Sequence, residues 1–287
     1  MHNRPAPARE RSIRPRDLAL DIPAETPRYW LGGDPYATHL MNALSLVFPP
    51  GERFFIDSVR HFRNQLRDPE LAAQVRGFTG QEALHSREHK GFNRWLARFG
   101  VDADAIDRRV TDEIARRRAT RRPIDDLAVT CALEHFTAIM AESWLHEAEL
   151  RESADPKLGR LWTWHALEEL DHKSVAFDVF RDVGGDEATR RRWMLRISIG
   201  FVLGVSVMHL RFLAADGQFK RPAYLAKQWW KFWGPRGVFT RLIPAYLRYY
   251  RSDFHPWDED HSQLITRFER ELALADAALD PAPSSAA

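Results

Sequence analysis

Residues 162–173 read Trp162-Thr163-Trp164-His165-Ala166-Leu167-Glu168-Glu169-Leu170-Asp171-His172-Lys173. Apolar residues alternate with histidines and carboxylates, and neither glycine nor proline interrupts them. On a helix, Glu169 and His172 stack on one face, one turn apart. The tryptophans and leucines mark the segment as buried, and a buried Asp/Glu/His cluster is costly unless something binds it. Those donor types suit metal ions.

The same spacing recurs upstream in Gln81-Glu82-Ala83-Leu84-His85, on a helix that Asp68-Pro69 opens as N-cap and first residue and Gly100 closes after Phe99. A single Glu-x-x-His is weak in a chain this rich in both residues. Each copy, however, follows a helix that supplies one glutamate on or beside its apolar face, Glu52 before the first and Glu134 before the second. The order Glu, Glu-x-x-His, Glu, Glu-x-x-His is the donor set with which a four-helix bundle holds two metal ions. Several carboxylates offset the charge of two dications, and each imidazole adds a nitrogen ligand. The competing reading is a bundle with satisfied core ion pairs and no metal, which the matching order and spacing disfavour.

The remaining pattern is helical throughout. Residues 1–34 are rich in Pro and Arg without periodicity and read as an extended or disordered arm. Asn42 to Phe48 is apolar and ends at Pro49-Pro50, which should stop one element and start another. An apolar stripe follows at Phe54, Phe55, Val59, Phe62 and Leu66. Gly77 and Gly80 weaken the second helix by about 1 kcal/mol each and leave room for close packing or a bulge. Asp102 to Ala119 is a charged connector, Pro123 opens a helix to about Leu150, and Asp155-Pro156 opens one to about Val183. Further helices are expected over 188–215, 222–233, 238–251 and 258–277, before an Ala/Pro/Ser tail at 278–287. The fold class is therefore all-α: a four-helix bundle over 35–185 with C-terminal helices over 186–277 packed on it.

Composition limits the function. Among 287 residues the formal net charge is +2, too small to imply nucleic acid, and arginine runs such as Arg190-Arg191-Arg192 read as solvated helix faces. Cys131 is the sole cysteine, which excludes an intrachain disulfide and a thiolate metal site and favours the cytoplasm. The arginines near the N-terminus lack the apolar stretch of a secretory signal. The run Ile197 to Met208 falls short of the roughly 20 residues that span a bilayer and reads as a buried or interfacial helix. Ten tryptophans leave peripheral membrane contact as the minority reading. The Trp229-Trp230-Trp233 and Tyr246-Tyr249-Tyr250 groups have helical spacing and are expected in the core.

The chain resembles the ferritin-like di-metal carboxylate proteins, and more closely a bacterial family labelled predicted metal-dependent hydrolases. The resemblance rests on Phe48-Pro49-Pro50-Gly51-Glu52-Arg53-Phe54-Phe55, Gln81-Glu82-Ala83-Leu84-His85, Leu133-Glu134-His135, the segment 162–172, and Asp253-Phe254-His255-Pro256-Trp257. It implies a di-metal site at Glu52, Glu82, His85, Glu134, Glu169 and His172, with the four glutamates also serving catalysis. His89 and His165 share the faces of these motifs and read as further ligands, supports or proton relays, against a plain hydrogen bond to a neighbouring glutamate. Glu168 competes with Glu169 as ligand; the spacing of Glu82 to His85 favours Glu169. Glu142 and His146 fall outside the ligand set. His255, ahead of a proline, reads as a structural clasp, with a lid as the alternative.

Three functions follow. The leading expectation is a non-haem di-iron or Fe/Mn oxidoreductase that activates O2 and acts on a hydrophobic small molecule beneath the C-terminal helices, with an external electron donor. Zinc is the less favoured metal. The alternative is a hydrolase that uses a metal-bridging hydroxide on an ester or phosphoester. The third is a non-catalytic metal-binding protein. A homodimer is the oligomer expected.

Overall fold

The computed structural model describes residues 12–279, so residues 1–11 and nearly all of the tail expected to be disordered lie outside the described residues. The described residues form eleven α-helices and no strand; Leu31 and Ala154 make one isolated bridge. The order is α1 Pro35–His61, α2 Pro69–Leu96, α3 Ala103–Arg118, α4 Pro123–His146, α5 Ala148–Glu152, α6 Pro156–His172, α7 Val175–Asp182, α8 Glu187–Ala215, α9 Pro222–Trp233, α10 Ile243–Arg248 and α11 Ser262–Leu279. Helix α1 packs on α2 and α4 on α6, and α1–α4 and α2–α6 contacts close the four into one core. Helix α3 lies against α1 and α2, α8 against α1 and α4, and α11 against α6.

Three Asp-Pro steps start these helices as their chemistry requires. The carboxylates of Asp34, Asp68 and Asp155 accept from backbone N–H groups of the first turn, while the proline occupies a position whose N–H has no helical partner. Gly100 takes φ +82° and ends the second element, after a short 3-10 turn at Ala97–Phe99.

Four expectations are corrected. Pro49 and Pro50 do not divide α1, which runs straight through them. Pro49 cannot donate to the Ser45 carbonyl four residues back, but Asn93 Nδ2 on α2 donates to it at 3.0 Å. A tertiary hydrogen bond replaces the missing helical one. The α6 helix ends at His172 rather than near Val183: a two-residue turn at Lys173 and Ser174 separates it from α7, and there Lys173 Nζ donates to the Glu259 carbonyl at 2.8 Å and lies 4.0 Å over the Trp257 ring. Helix α4 ends at His146, where Arg151 Nη1 takes the released Leu145 carbonyl at 2.7 Å. The segment 238–251 is a 3-10 turn at Thr240–Leu242 followed by the short α10, whose second residue is Pro244.

Helix α8 is longer than the run Ile197 to Met208, expected to be buried or interfacial. The helix is 29 residues long and is apolar and long enough to cross a membrane, the only one so among the described residues. Little of its apolar stretch is buried. Trp229, Trp230 and Trp233 are exposed as well, whereas Tyr249 is buried.

The segment 12–34 contains no helix but is not loose. Leu18, Trp30 and Leu31 are buried in it. Gly77 and Gly80 explain how its first residues seat: a Cβ on Gly77 would lie 2.4 Å from the Ile13 carbonyl oxygen, and one on Gly80 would lie 2.5 Å from Pro15 Cγ. Two glycines thus open a groove on α2 in which Ile13 to Pro15 lie.

Candidate metal centre

All nine residues singled out by the sequence come together inside the four-helix core, and all are buried. Glu52 comes from α1, just past the proline pair. Glu82, His85 and His89 come from α2, Glu134 from α4, and His165, Glu168, Glu169 and His172 from α6.

The hydrogen bonds sort these residues into two kinds. Both carboxylate oxygens of Glu52, Glu82 and Glu134, Oε2 of Glu169, Nδ1 of His85 and Nε2 of His172 are buried with no hydrogen-bond partner. These atoms belong to the six residues of the repeated motif, and to none of His89, His165 and Glu168. His172 Nε2 stands 3.1 Å from Glu82 Oε1, 3.4 Å from Glu134 Oε2 and 3.6 Å from Glu169 Oε2, without the angles of a hydrogen bond. His85 Nδ1 stands 3.6 Å from Glu169 Oε1 and 3.8 Å from Glu82 Oε1. A buried polar atom left unpaired costs about 1–3 kcal/mol, and more when charged. So many on one spot is a site built for a cation.

The other groups aim the imidazoles. His172 Nδ1 donates to Gln81 Oε1 at 2.9 Å, and Gln81 Nε2 donates in turn to the Arg14 carbonyl at 3.2 Å. That carbonyl can only accept, so the chain fixes the Gln81 amide and leaves the His172 Nε2 lone pair facing the carboxylates. His85 Nε2 donates to Glu168 Oε2 at 3.1 Å, which turns its Nδ1 lone pair to the same place. Glu168 is itself held by the Arg16 backbone N–H at 2.9 Å and by the Arg16 guanidinium at 3.3 Å, and the guanidinium reaches Asp171 at 2.7 Å. Of the two adjacent glutamates, Glu169 faces the unpaired atoms and Glu168 faces away, behind His85.

His165 and His89 form a second relay. Ser45 Oγ donates to Asn93 Oδ1 at 2.6 Å and so accepts from His89 Nδ1, at 2.8 Å. His89 Nε2 then accepts from His165 Nδ1 at 2.9 Å, which leaves the His165 Nε2 lone pair 3.0 Å from Glu169 Oε1. Two acceptors meet there, and a cation or a proton between them resolves the conflict. His165 also lies with Glu52 and His85 in a group that offers one donor atom each, all within 4.8 Å of one another.

The electrostatics follow from burial and crowding. Burial and the neighbouring carboxylates push Glu52 and Glu134 well above the ordinary range. Burial also lifts Glu82, to about 7, against the pull of His172. It would lift Glu169 too, but a proton shared with His165 and His172 outweighs it and holds that carboxylate well below the usual value. Burial lowers His85 and His89. It would lower His172, yet Glu169 and Glu82 raise that imidazole well above its ordinary value. The field pulls positive charge inward.

Arg16, Gln81, Ser45 and Asn93 were not assigned from the sequence. Gln81 adjoins Glu82 and Asn93 lies one turn past His89 on the same face, so both carried a faint positional signal. Ser45 and Arg16 carried none. Glu142 lies outside the centre, with its carboxylate 3.4 Å from His261 Nε2. His255 Nδ1 accepts from the Trp257 N–H and its Nε2 meets Asp178 at 3.0 Å, which ties the C-terminal segment to α7 as a clasp.

A family model described as predicted metal-dependent hydrolase matches residues 14–260. The chain belongs to that family. No curated protein and no solved structure matches it. The family's description supports metal dependence and an enzyme of hydrolytic type. It does not support the O2-activating reading that led from the sequence, nor iron in particular. Within this family the matched span takes in the segment at Arg14 and Arg16 as well as the helices, so both the unpaired donors and the groups that aim them lie inside it.

Proposed function

We propose that the chain is a metal-dependent hydrolase whose two metal ions are held by Glu52, Glu82, His85, Glu134, Glu169 and His172, in a ferritin-like bundle, with His165 as an additional nitrogen donor. The observation that carries this is that, of the nine acidic and imidazole residues gathered in the core, the six of the repeated Glu and Glu-x-x-His set are the ones with buried, unpaired donor atoms. Four carboxylates offset the charge of two dications, and an iron, manganese or zinc pair fits the mixed oxygen and nitrogen donors. Bound there, the metals would supply Lewis acidity to a carbonyl or phosphoryl oxygen and lower the pKa of water.

The protein's own part is access, binding and proton handling. A cavity of about 480 Å³ runs from α3 and α8 to Glu52, His165 and Glu169. Its inner wall is apolar, with Phe48, Phe54, Phe55, Leu133, Phe201 and Val205, and its α3 side is polar, with Arg109 and with Glu113 paired to Arg116 and Arg117 at 2.5 and 2.6 Å. An apolar chain ending in a polar or anionic group fits that gradient, so the proposed substrate is an amphiphilic ester or phosphoester. Glu52, one of the carboxylates that would hold the metals, lines the floor of this cavity with His165 and Glu169. The His165–His89–Ser45 chain gives His165 a fixed tautomer and a route for a proton away from the cavity.

The donor order itself favours a second reading, since a bundle with two Glu-x-x-His motifs also suits O2-activating di-iron chemistry with an external electron donor. One experiment separates the two. Chelator-stripped protein is reloaded anaerobically with Zn(II) or Mn(II) and offered p-nitrophenyl esters of increasing chain length and a phosphodiester. Hydrolysis without oxygen, faster with longer chains, is expected. No turnover there, together with oxygen uptake and a charge-transfer band after aerobic loading with Fe(II), would replace hydrolysis with oxidation.

A further inference from the structure

Helices α8, α9 and α10 present a surface that the metal centre does not use. Along α8, Leu195, Ile199, Val202, Leu203, Val207 and Leu210 are exposed, Ile199 and Leu203 by more than 60%. Trp229 and Trp230 on α9 are 54% and 63% exposed, and Ile243 and Leu247 on α10 about half exposed. Val202 of α8, Trp233 of α9 and Ile243 of α10 line one shallow cavity, so the three helices meet, and an exposed apolar face of this kind marks a contact with a partner or a membrane.

Charge identifies which. Between Ala188 and Arg251 the chain has thirteen Lys and Arg and one acidic residue, Asp216. Among the described residues Arg211, Lys220, Lys227, Lys231 and Arg236 make no ion pair. On α9 the sequence Lys227-Gln228-Trp229-Trp230-Lys231-Phe232-Trp233 interleaves exposed cations with exposed indoles, the pairing that seats a helix at a lipid–water boundary. A second copy of this face would bring the same cations together, whereas an anionic leaflet neutralises them. Spanning is excluded by the other side of α8. Met194, Val205, His209 and Leu213 are buried, and His209 Nε2 donates to the Tyr36 carbonyl at 3.0 Å, so the helix lies along the bundle.

We propose that the face formed by α8, α9 and α10 docks the protein peripherally on an anionic lipid bilayer, indoles in the headgroup layer and cations on the phosphates. Exposed Gly200 and Gly204 of α8 also line the cavity that reaches Glu52, so its mouth opens beside this face. Entry of substrate from the bilayer through that mouth rests on the reading of the metal centre; docking does not.

The test is co-sedimentation of the full-length protein with phosphatidylcholine vesicles with and without phosphatidylglycerol. Binding is expected to the anionic vesicles, weaker at high salt, with a blue shift of tryptophan emission. Lys227→Ala with Lys231→Ala should weaken it about thirtyfold, at roughly 1 kcal/mol per cation near such a surface. Trp229→Ser with Trp230→Ser should weaken it on the order of a hundredfold. Both pairs are exposed, and unchanged metal content and melting temperature would show that the fold is kept. No binding to anionic vesicles would overturn the proposal. So would a concentration-dependent dimer that protects these tryptophans from quenching, or bound protein that resists extraction by alkaline carbonate as a spanning helix does.

Discussion

Replacing Gly77 with alanine tests whether the N-terminal segment organises the metal centre. In an exposed helix interior the change should stabilise by about 1 kcal/mol, because alanine is the better helix former. Here the new Cβ would lie 2.4 Å from the Ile13 carbonyl oxygen and 2.7 Å from Ile13 Cβ. Real Cβ atoms do not approach so closely, and the nearest atom is backbone, so the segment itself has to move. Overpacking of that kind costs about 1–3 kcal/mol, which cancels or exceeds the helix gain. The expected net change in chelator-treated protein is therefore between zero and about 2 kcal/mol of destabilisation. The larger effect falls on metal. Moving Ile13 moves Arg14 and Arg16, which removes the acceptor that fixes Gln81 and hence His172, and the charge that fixes Glu168 and hence His85. Loss of such supporting groups typically costs 10–100-fold in metal affinity. Urea denaturation of the metal-free protein and competition titration with a metal indicator measure the two parts. A Gly77→Ala protein that is stabilised by the full helix gain and binds metal as before would show that Ile13 to Arg16 do not hold the site.

Further outcomes follow from the same geometry. Glu169→Ala should lose metal, whereas Glu168→Ala should keep the stoichiometry and lose about 10–100-fold in affinity, read by metal analysis after gel filtration; the reverse order would exchange their roles. Glu134→Leu should abolish one metal yet stabilise the metal-free protein by about 1–3 kcal/mol, because it removes two unpaired buried oxygens. Thermal melts in chelator check it, and a less stable metal-free variant would refute it. His209 is buried with its pKa lowered from 6.5 to about 4, chiefly by burial, so the fold favours the neutral imidazole. Its contribution is present above about pH 6.5 and is lost as pH falls toward 4, at most about 3 kcal/mol. His209→Gln should flatten that part of a stability–pH curve measured in urea.

The helices and their donors were legible because both rest on local rules. Two Asp-Pro caps, one left-handed glycine and a repeat of three-residue spacing depend on residues near in sequence, and the structure places them accordingly. What the sequence hid depends on partners far along the chain. Pro49 reads as a helix stop because its missing donor is visible and Asn93, which supplies the substitute, is 44 residues away. The arm at 12–34 reads as loose because Gly77 and Gly80 show what they lack, not what fills the space. The exposed tryptophans of α9 were placed in the core because helical spacing marks an apolar face without saying what covers it. The choice between Glu168 and Glu169 has the same origin. Spacing to His172 puts both near one face, and only Arg16, more than 150 residues upstream, shows that Glu168 is already engaged. A buried carboxylate with a cationic partner has its charge satisfied, and one without calls for a metal. That distinction, applied atom by atom, separates the ligand set from its supports where residue type and spacing alone do not.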